Sequence, residues 1–214
     1  MEGVVLLHGI ARSARSLSKM ERALRAENYQ TLNLDYPARA QNLKDIANGL
    51  HAPIAQFARG FDGRLHFVTH SMGGLVVRAL IAQKRPPNLG RVVAIAPPNG
   101  GSEVADFLRD NPLYVRFFGP AGAELTTKRT DELRALLGAV DYPLGVIAGD
   151  RTIDPIASLL ILPRPNDGRV SVAMTRVDGM ADHIVAPASH ALIMNHPSAI
   201  MQTLYLLRSG CFKR

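Results

Sequence analysis

Short apolar runs and helical stripes alternate along the first hundred residues. Val4-Val5-Leu6-Leu7 is a continuous apolar run of strand length, closed by His8-Gly9-Ile10. Positions 17–26 then carry Leu17, Met20, Ala23 and Leu24 at the spacing of one helix face. Positions 29–36 return to strand character and stop at Pro37. Leu43, Ile46, Leu50, Ile54 and Phe57 repeat the helical period over 42–59. A strand at 65–68, a helix ending near Gln83 and a strand at 91–96 follow, the last closed by Pro97-Pro98-Asn99-Gly100-Gly101. This β-α-β-α-β-α-β order predicts a mostly parallel, doubly wound sheet with right-handed crossovers. Strands that are apolar throughout fit a sheet covered on both faces.

Beyond residue 101 the rhythm breaks. Phe107, Leu108, Leu113, Tyr114, Val115, Phe117 and Phe118 crowd into 102–140 among the breakers Gly119, Pro120 and Gly122. This segment is expected to be a small cap or half-lid over a pocket. The pattern resumes with strands at 143–149 and 182–186 and a terminal helix at 197–207. Between them, 150–162 is expected to be a loop, 163–168 a turn, and 170–177 a short helix. No repeat or linker divides the chain, so a single domain is expected over 1–214.

Composition narrows the function more than the fold. The chain has 214 residues, 47% hydrophobic and 20% charged, which is enough apolar material for one well-covered sheet. A net charge of +7 invites a nucleic-acid reading. However, Arg12, Arg22, Arg39, Arg59 and the other arginines are scattered, and aromatics make up only 6%. No nucleic-acid partner is expected, and the charge suits anionic substrates or peripheral contact with an anionic membrane. The single cysteine, Cys211, excludes an internal disulfide. Zinc-ligand spacing and phosphate-cradling glycine motifs are both missing, so neither metal nor cofactor is expected. No apolar run approaches the roughly 18 residues of a spanning helix, so no transmembrane segment is expected. Met1-Glu2-Gly3 leads straight into a strand without a basic leader, which predicts a cytoplasmic protein.

One stretch carries chemistry. Thr69-His70-Ser71-Met72-Gly73-Gly74 joins the strand at 65–68 to a helix. A serine on a sharp strand-to-helix turn lifts its Oγ clear of the backbone, and the two glycines let the helix begin close to the strand. The pattern is G-x-S-x-G with Thr69 in the first glycine's place. Read blandly, Ser71 would only cap a helix. Ligands on parallel sheets gather at the carboxyl ends of the strands. His8-Gly9-Ile10 and Ser71-Met72 both lie there, so distant residues can meet.

Leu6-Leu7-His8-Gly9-Ile10, the Ser71 turn, Pro98-Asn99-Gly100-Gly101-Ser102 and Asn166-Asp167-Gly168 together resemble the α/β-hydrolase fold of small bacterial lipases and esterases. The resemblance runs from the first strand to the last histidine. It implies a triad in chain order Ser, acid, His. Ser71 would be the nucleophile. Asp167, in Asn166-Asp167-Gly168-Arg169-Val170, matches the N-D-G-x-V stretch in which the family's aspartate serves. Asp150 at a strand end and Asp154 stay open as alternatives. For the base, His190 falls in the loop after the last strand, where the family places it. His196 and His183 remain candidates, and His8 and His70 are read as supporting residues. The backbone N–H groups of Ile10 and Met72 would form the oxyanion hole.

The resemblance implies a serine hydrolase that cleaves carboxylic esters through an acyl-enzyme, with an ester or lipid-like small molecule as substrate. A thioesterase or amidase would use the same groups. A non-catalytic hydrolase-like binding protein is the rival of another class.

Overall fold

The computed structural model describes residues 1–153, 158 and 160–214. Among them, six strands form one sheet: β1 (Gly3–Leu7), β2 (Gln30–Leu34), β3 (Leu65–His70), β4 (Leu89–Ile95), β5 (Leu144–Gly149) and β6 (Asp182–Ala186). Their order across the sheet is β2-β1-β3-β4-β5-β6, and every neighbouring pair is parallel. The chain steps from β1 out to β2 and then returns to place β3 on the other side of β1. The winding therefore reverses between β1 and β3, and a crevice opens at their carboxyl ends, the usual ligand position on such sheets.

Alternation along the strands divides the core. Val5 and Leu7 of β1 face one side with Phe67, Val92 and Val146. That side is covered by α2 (Leu43–Ala58), α3 (Gly73–Gln83) and α6 (Asp131–Leu137). Val4 and Leu6 face the other side with Val68, Val93 and Ile147, under α1 (Ser18–Ala26) and α7 (Pro197–Ser209). β1 and β5 are buried on both faces and apolar throughout, whereas β3, buried along its whole length, also carries His66, Thr69 and His70. The edge strand β2 is only half-buried along its length.

Local sequence sets the helix boundaries. The Asn42 side chain accepts from Asp45 N at 2.8 Å and starts α2, and Thr130 does the same for α6 at 3.2 Å. Ser102 caps α4 (Glu103–Leu108) and Asn111 caps α5 (Pro112–Ala123). Within 102–140, α6 packs on α3, while α4 and α5 stand over the carboxyl end of the sheet. The expected helix at 170–177 is shorter than its sequence suggests. It is a single 3-10 turn at Ala173–Thr175, followed by extended backbone at Arg176. Of the expected loop at 150–162, the part at 154–157 and 159 lies outside the described residues.

Candidate active site

The parallel register of β1 and β3 aligns Leu7 with Thr69, so residues 8–10 and 70–72 leave the sheet side by side. Ser71 follows β3 with φ of 55°, a left-handed conformation uncommon for a residue with a β-carbon. Its N–H donates to Ile95 O at 2.8 Å, and its carbonyl accepts from Gly74 N at 2.9 Å. Helix α3 starts two residues later, pressed against the end of β1. A β-carbon on Gly73 would collide with Leu7 O and come within 2.9 Å of His8 O. One on Gly74 would lie 2.8 Å from Pro97 Cβ. This crowding accounts for both glycines.

Three side chains from separate loops meet at this turn. His190 Nε2 lies 3.0 Å from Ser71 Oγ. His190 Nδ1 lies 2.7 Å from Asp167 Oδ2. A carboxylate only accepts, so the imidazole proton sits on Nδ1, and Nε2 is left to accept from the serine hydroxyl. The Asp167 side chain is fully enclosed. Its Oδ1 accepts from Arg169 N at 2.9 Å and Val170 N at 2.8 Å. Such charge-assisted bonds fix a carboxylate in place and compensate for its loss of water. The turn that supplies them is held by Asn166 Oδ1, which accepts from Gly168 N at 3.0 Å, and by Ser102 Oγ, which donates to Arg169 O at 2.8 Å.

The His190 loop is clamped from two sides. Its N–H donates to Asp167 O at 2.9 Å, and its carbonyl accepts from His70 Nε2 at 3.0 Å. Burial, followed by the nearby His190, holds His70 well below the ordinary histidine range, so His70 stays a neutral donor. His8 supports the loop after β1. Its ring stacks on Tyr36 at 4.2 Å between centroids, and its carbonyl accepts from the Tyr36 hydroxyl. Burial raises the Tyr36 phenol, which therefore remains a donor. The sequence showed Tyr36 only as the residue before a strand-stopping proline. Nothing in its spacing marks the 28-residue reach to His8.

The remaining candidates lie elsewhere. Asp150 faces Arg151 at 3.6 Å and takes no bond from a histidine. Asp154 lies outside the described residues. His183 sits on β6 with Nε2 3.0 Å from Thr175 Oγ1, and burial pushes its imidazole down to about 4. His196 caps α7 by accepting from Ser198 N at 3.3 Å.

Ser71 and His190 open into a cavity of about 470 Å³. Ile10, Val104, Leu108, Tyr114, Phe118 and Leu125 give it apolar walls, and Arg12 and Arg169 add positive charge. Met72 is fully buried under the turn. Among the described residues, no hydrogen bond is found from the backbone N–H of Ile10 or Met72. No group of metal-ligating side chains occurs among the described residues, and no helix there is long and apolar enough to cross a membrane.

The family described as the alpha/beta hydrolase family matches residues 4–203. No curated protein matches the chain. Among solved structures, the mature form of the Bacillus licheniformis lipase BlEst2 superposes with a TM-score of 0.79 at 17% identity, covering 97% of this chain and 91% of that one. Phospholipase PlaB from Legionella pneumophila gives 0.71 at 18% identity, covering 97% of this chain and 59% of that one. A structure of the metagenome-derived lipolytic enzymes LipS and LipT gives 0.66 at 16% identity, covering 97% and 93%.

Proposed function

The chain belongs to the alpha/beta hydrolase family, and from that premise we propose that it is a serine hydrolase of carboxylic esters, of lipase or esterase type. The observation that carries this reading is the series Ser71 Oγ, His190 Nε2, His190 Nδ1, Asp167 Oδ2, with steps of 3.0 and 2.7 Å. Ser71 Oγ attacks the acyl carbon while His190 Nε2 takes its proton. The carbonyl oxygen becomes an anion, received by the backbone N–H groups of Ile10 and Met72. Asp167 holds the imidazole in the required tautomer and stabilises its positive charge. When the tetrahedral species collapses, the ester C–O bond breaks, and the alcohol leaves with the proton from His190. Water, deprotonated by His190, then attacks the acyl-enzyme. The carboxylic acid is released and the proton returns to Ser71.

The apolar walls supplied by α4 and α5 suit an acyl chain. Phe107, Leu113 and Phe117 are exposed on the outer side of the same helices. That exposure supports a lipid-like substrate met at an anionic surface.

A fluorophosphonate probe and a series of p-nitrophenyl esters of increasing acyl length test the reading. Wild-type protein should label and hydrolyse the longer esters, and Ser71→Ala should do neither. Asp167→Asn should fold normally and lose about 10⁴-fold in kcat, the scale expected when the tautomer is no longer held. Labelling that persists in Ser71→Ala would remove the nucleophile from this mechanism. Faster turnover of matched thioesters would move the assignment to a thioesterase.

A further inference from the structure

A second cavity, of about 380 Å³, lies on the α3 and α6 side of the segment that follows β4. The two cavities share that segment as a wall. Pro98 lines the cavity at Ser71, and Asn99 and Gly100 line the second one. Its other walls include Arg78, Arg129 and Arg134. Three arginines, from α3, the segment before α6 and α6 itself, thus border one space.

The charges of Arg78 and Arg129 are poorly matched by the protein. Arg78 is buried in α3 and donates to Asn99 Oδ1 at 3.1 Å and Gly138 O at 3.0 Å. Arg129 is half-buried and donates to Pro98 O at 2.5 Å. All three acceptors are neutral. Each of these guanidinium groups carries five N–H donors, so most of them meet no protein acceptor among the described residues. The Nε of Arg78 and the Nε of Arg129 are both buried without a partner among the described residues. Neither side chain forms an ion pair with a carboxylate among the described residues. No carboxylate is among the described residues that line this cavity, and two acids that bond to its lining residues are already engaged. Asp106 accepts from Thr127 with both oxygens, and Asp131 pairs with the outer, exposed Arg134 at 3.1 Å. Burial, with Arg78 and Arg134 nearby, lowers Arg129 to about 10, which also points to unrelieved like charge.

Buried cations without counter-ions are costly, and an anion that enters the space removes the cost. We propose that the cavity bounded by Arg78, Arg129 and Arg134 is a binding site for a multivalent oxyanion, the phosphoryl or polycarboxylate group of a small ligand. It is separate from the Ser71 cavity. Guanidinium forks match such oxyanions through paired N–H···O bonds. The site makes no use of Ser71, so it stands or falls independently of the esterase reading.

Calorimetric titration of the whole protein with inorganic phosphate and, separately, with citrate tests the site, with chloride at matched ionic strength as the reference. At least one anion should bind saturably, raise Tm, and bind about tenfold more weakly to Arg129→Gln, the loss expected for a charged hydrogen bond. A preference for phosphate assigns a phosphoryl ligand, and a preference for citrate assigns a polycarboxylate. Arg134→Gln alters only an exposed side chain and should keep the fold while weakening binding by a smaller factor. The assignment is overturned if neither anion binds beyond the chloride reference. It is equally overturned if folded Arg129→Gln and Arg134→Gln both bind as wild type does. Should Arg129→Gln fail to fold, the result for Arg134→Gln decides.

Discussion

The Ser71 turn and the α4–α5 segment face each other across one cavity and are built on opposite terms. At the turn, backbone sets nearly everything. Ser71 is 8% exposed, Met72 is fully buried, and Gly73 has no room for a methyl group against β1. On α4 and α5 the side chains decide. Phe107 is 69% exposed, Leu113 77% and Phe117 50%, and Arg39 stacks over Phe117 at 4.8 Å. Buried, over-determined backbone can hold a strained φ at Ser71. Exposed apolar side chains can be exchanged without disturbing it. On the proposed reading, the first region would carry the chemistry and the second would meet the apolar part of the substrate.

The sharpest way to break this division is to disturb the turn without touching a reacting atom. In Gly73→Ala the new β-carbon meets Leu7 O and His8 O, which are backbone and cannot rotate aside. Overpacking of this kind costs about 1–3 kcal/mol, and the strain must also shift Ser71 or α3. Urea denaturation should show that loss, and turnover should fall for short and long esters alike. Gly73→Ala with wild-type stability and activity would mean that the close approach has no part in holding the serine.

The same difference explains what could be read from the amino acids alone. Ser71 stood out in the sequence by its strand-to-helix turn, whereas His190 and Asp167 were singled out from other candidates only by the resemblance to lipases and esterases, and the structure brings the three side chains together. The alternation of strands and helices along the chain, though not the order of the strands across the sheet, was legible in the apolar runs and helical stripes, most plainly at β1 and β5, which are buried on both faces. Longer-range pairings left no such trace. Tyr36 reaches His8 across 28 positions, Ser102 reaches Arg169 across 67, and Arg78 reaches Gly138 across 60. Each is a single bond between residues of ordinary type. The overlong helix expected at 170–177 failed for a related reason. Val170 and Ser171 are occupied in closing the Asp167 turn, which leaves only Ala173–Thr175 to wind.

A smaller effect tests the other half of the contrast. Replacing Phe107 and Leu113 together by serine removes two exposed apolar side chains and should change stability by less than about 0.5 kcal/mol each. Turnover of soluble short-chain esters should stay at the wild-type level. Turnover of long-chain esters presented in anionic vesicles should fall about tenfold, through lost apolar contact with the surface. A uniform loss across both substrate sets would place these residues in the support of the site instead.

The smallest effect follows from where the buried histidines lie. Burial lowers His8, His66 and His70, and it lowers His183 to about 4, helped by Arg176 and opposed by Asp182. In the unfolded chain these imidazoles titrate near 6.5. Below that value the unfolded state binds more protons than the folded one. The stability they contribute is therefore complete above about pH 6.5 and is lost as the pH falls toward the folded values. All four belong to or adjoin β1, β3 and β6, and 102–140 contains no histidine. Its Glu124 shifts the other way. Burial raises that carboxyl, so acid favours the folded form there. Hydrogen exchange, corrected for the intrinsic pH dependence, should show protection falling from pH 7.5 to 5.5 in β3 and β6 and holding in α4 and α5, which exchange through their own local opening. If protection falls equally in both regions, α4 and α5 open together with the sheet, and the two regions are one cooperative unit.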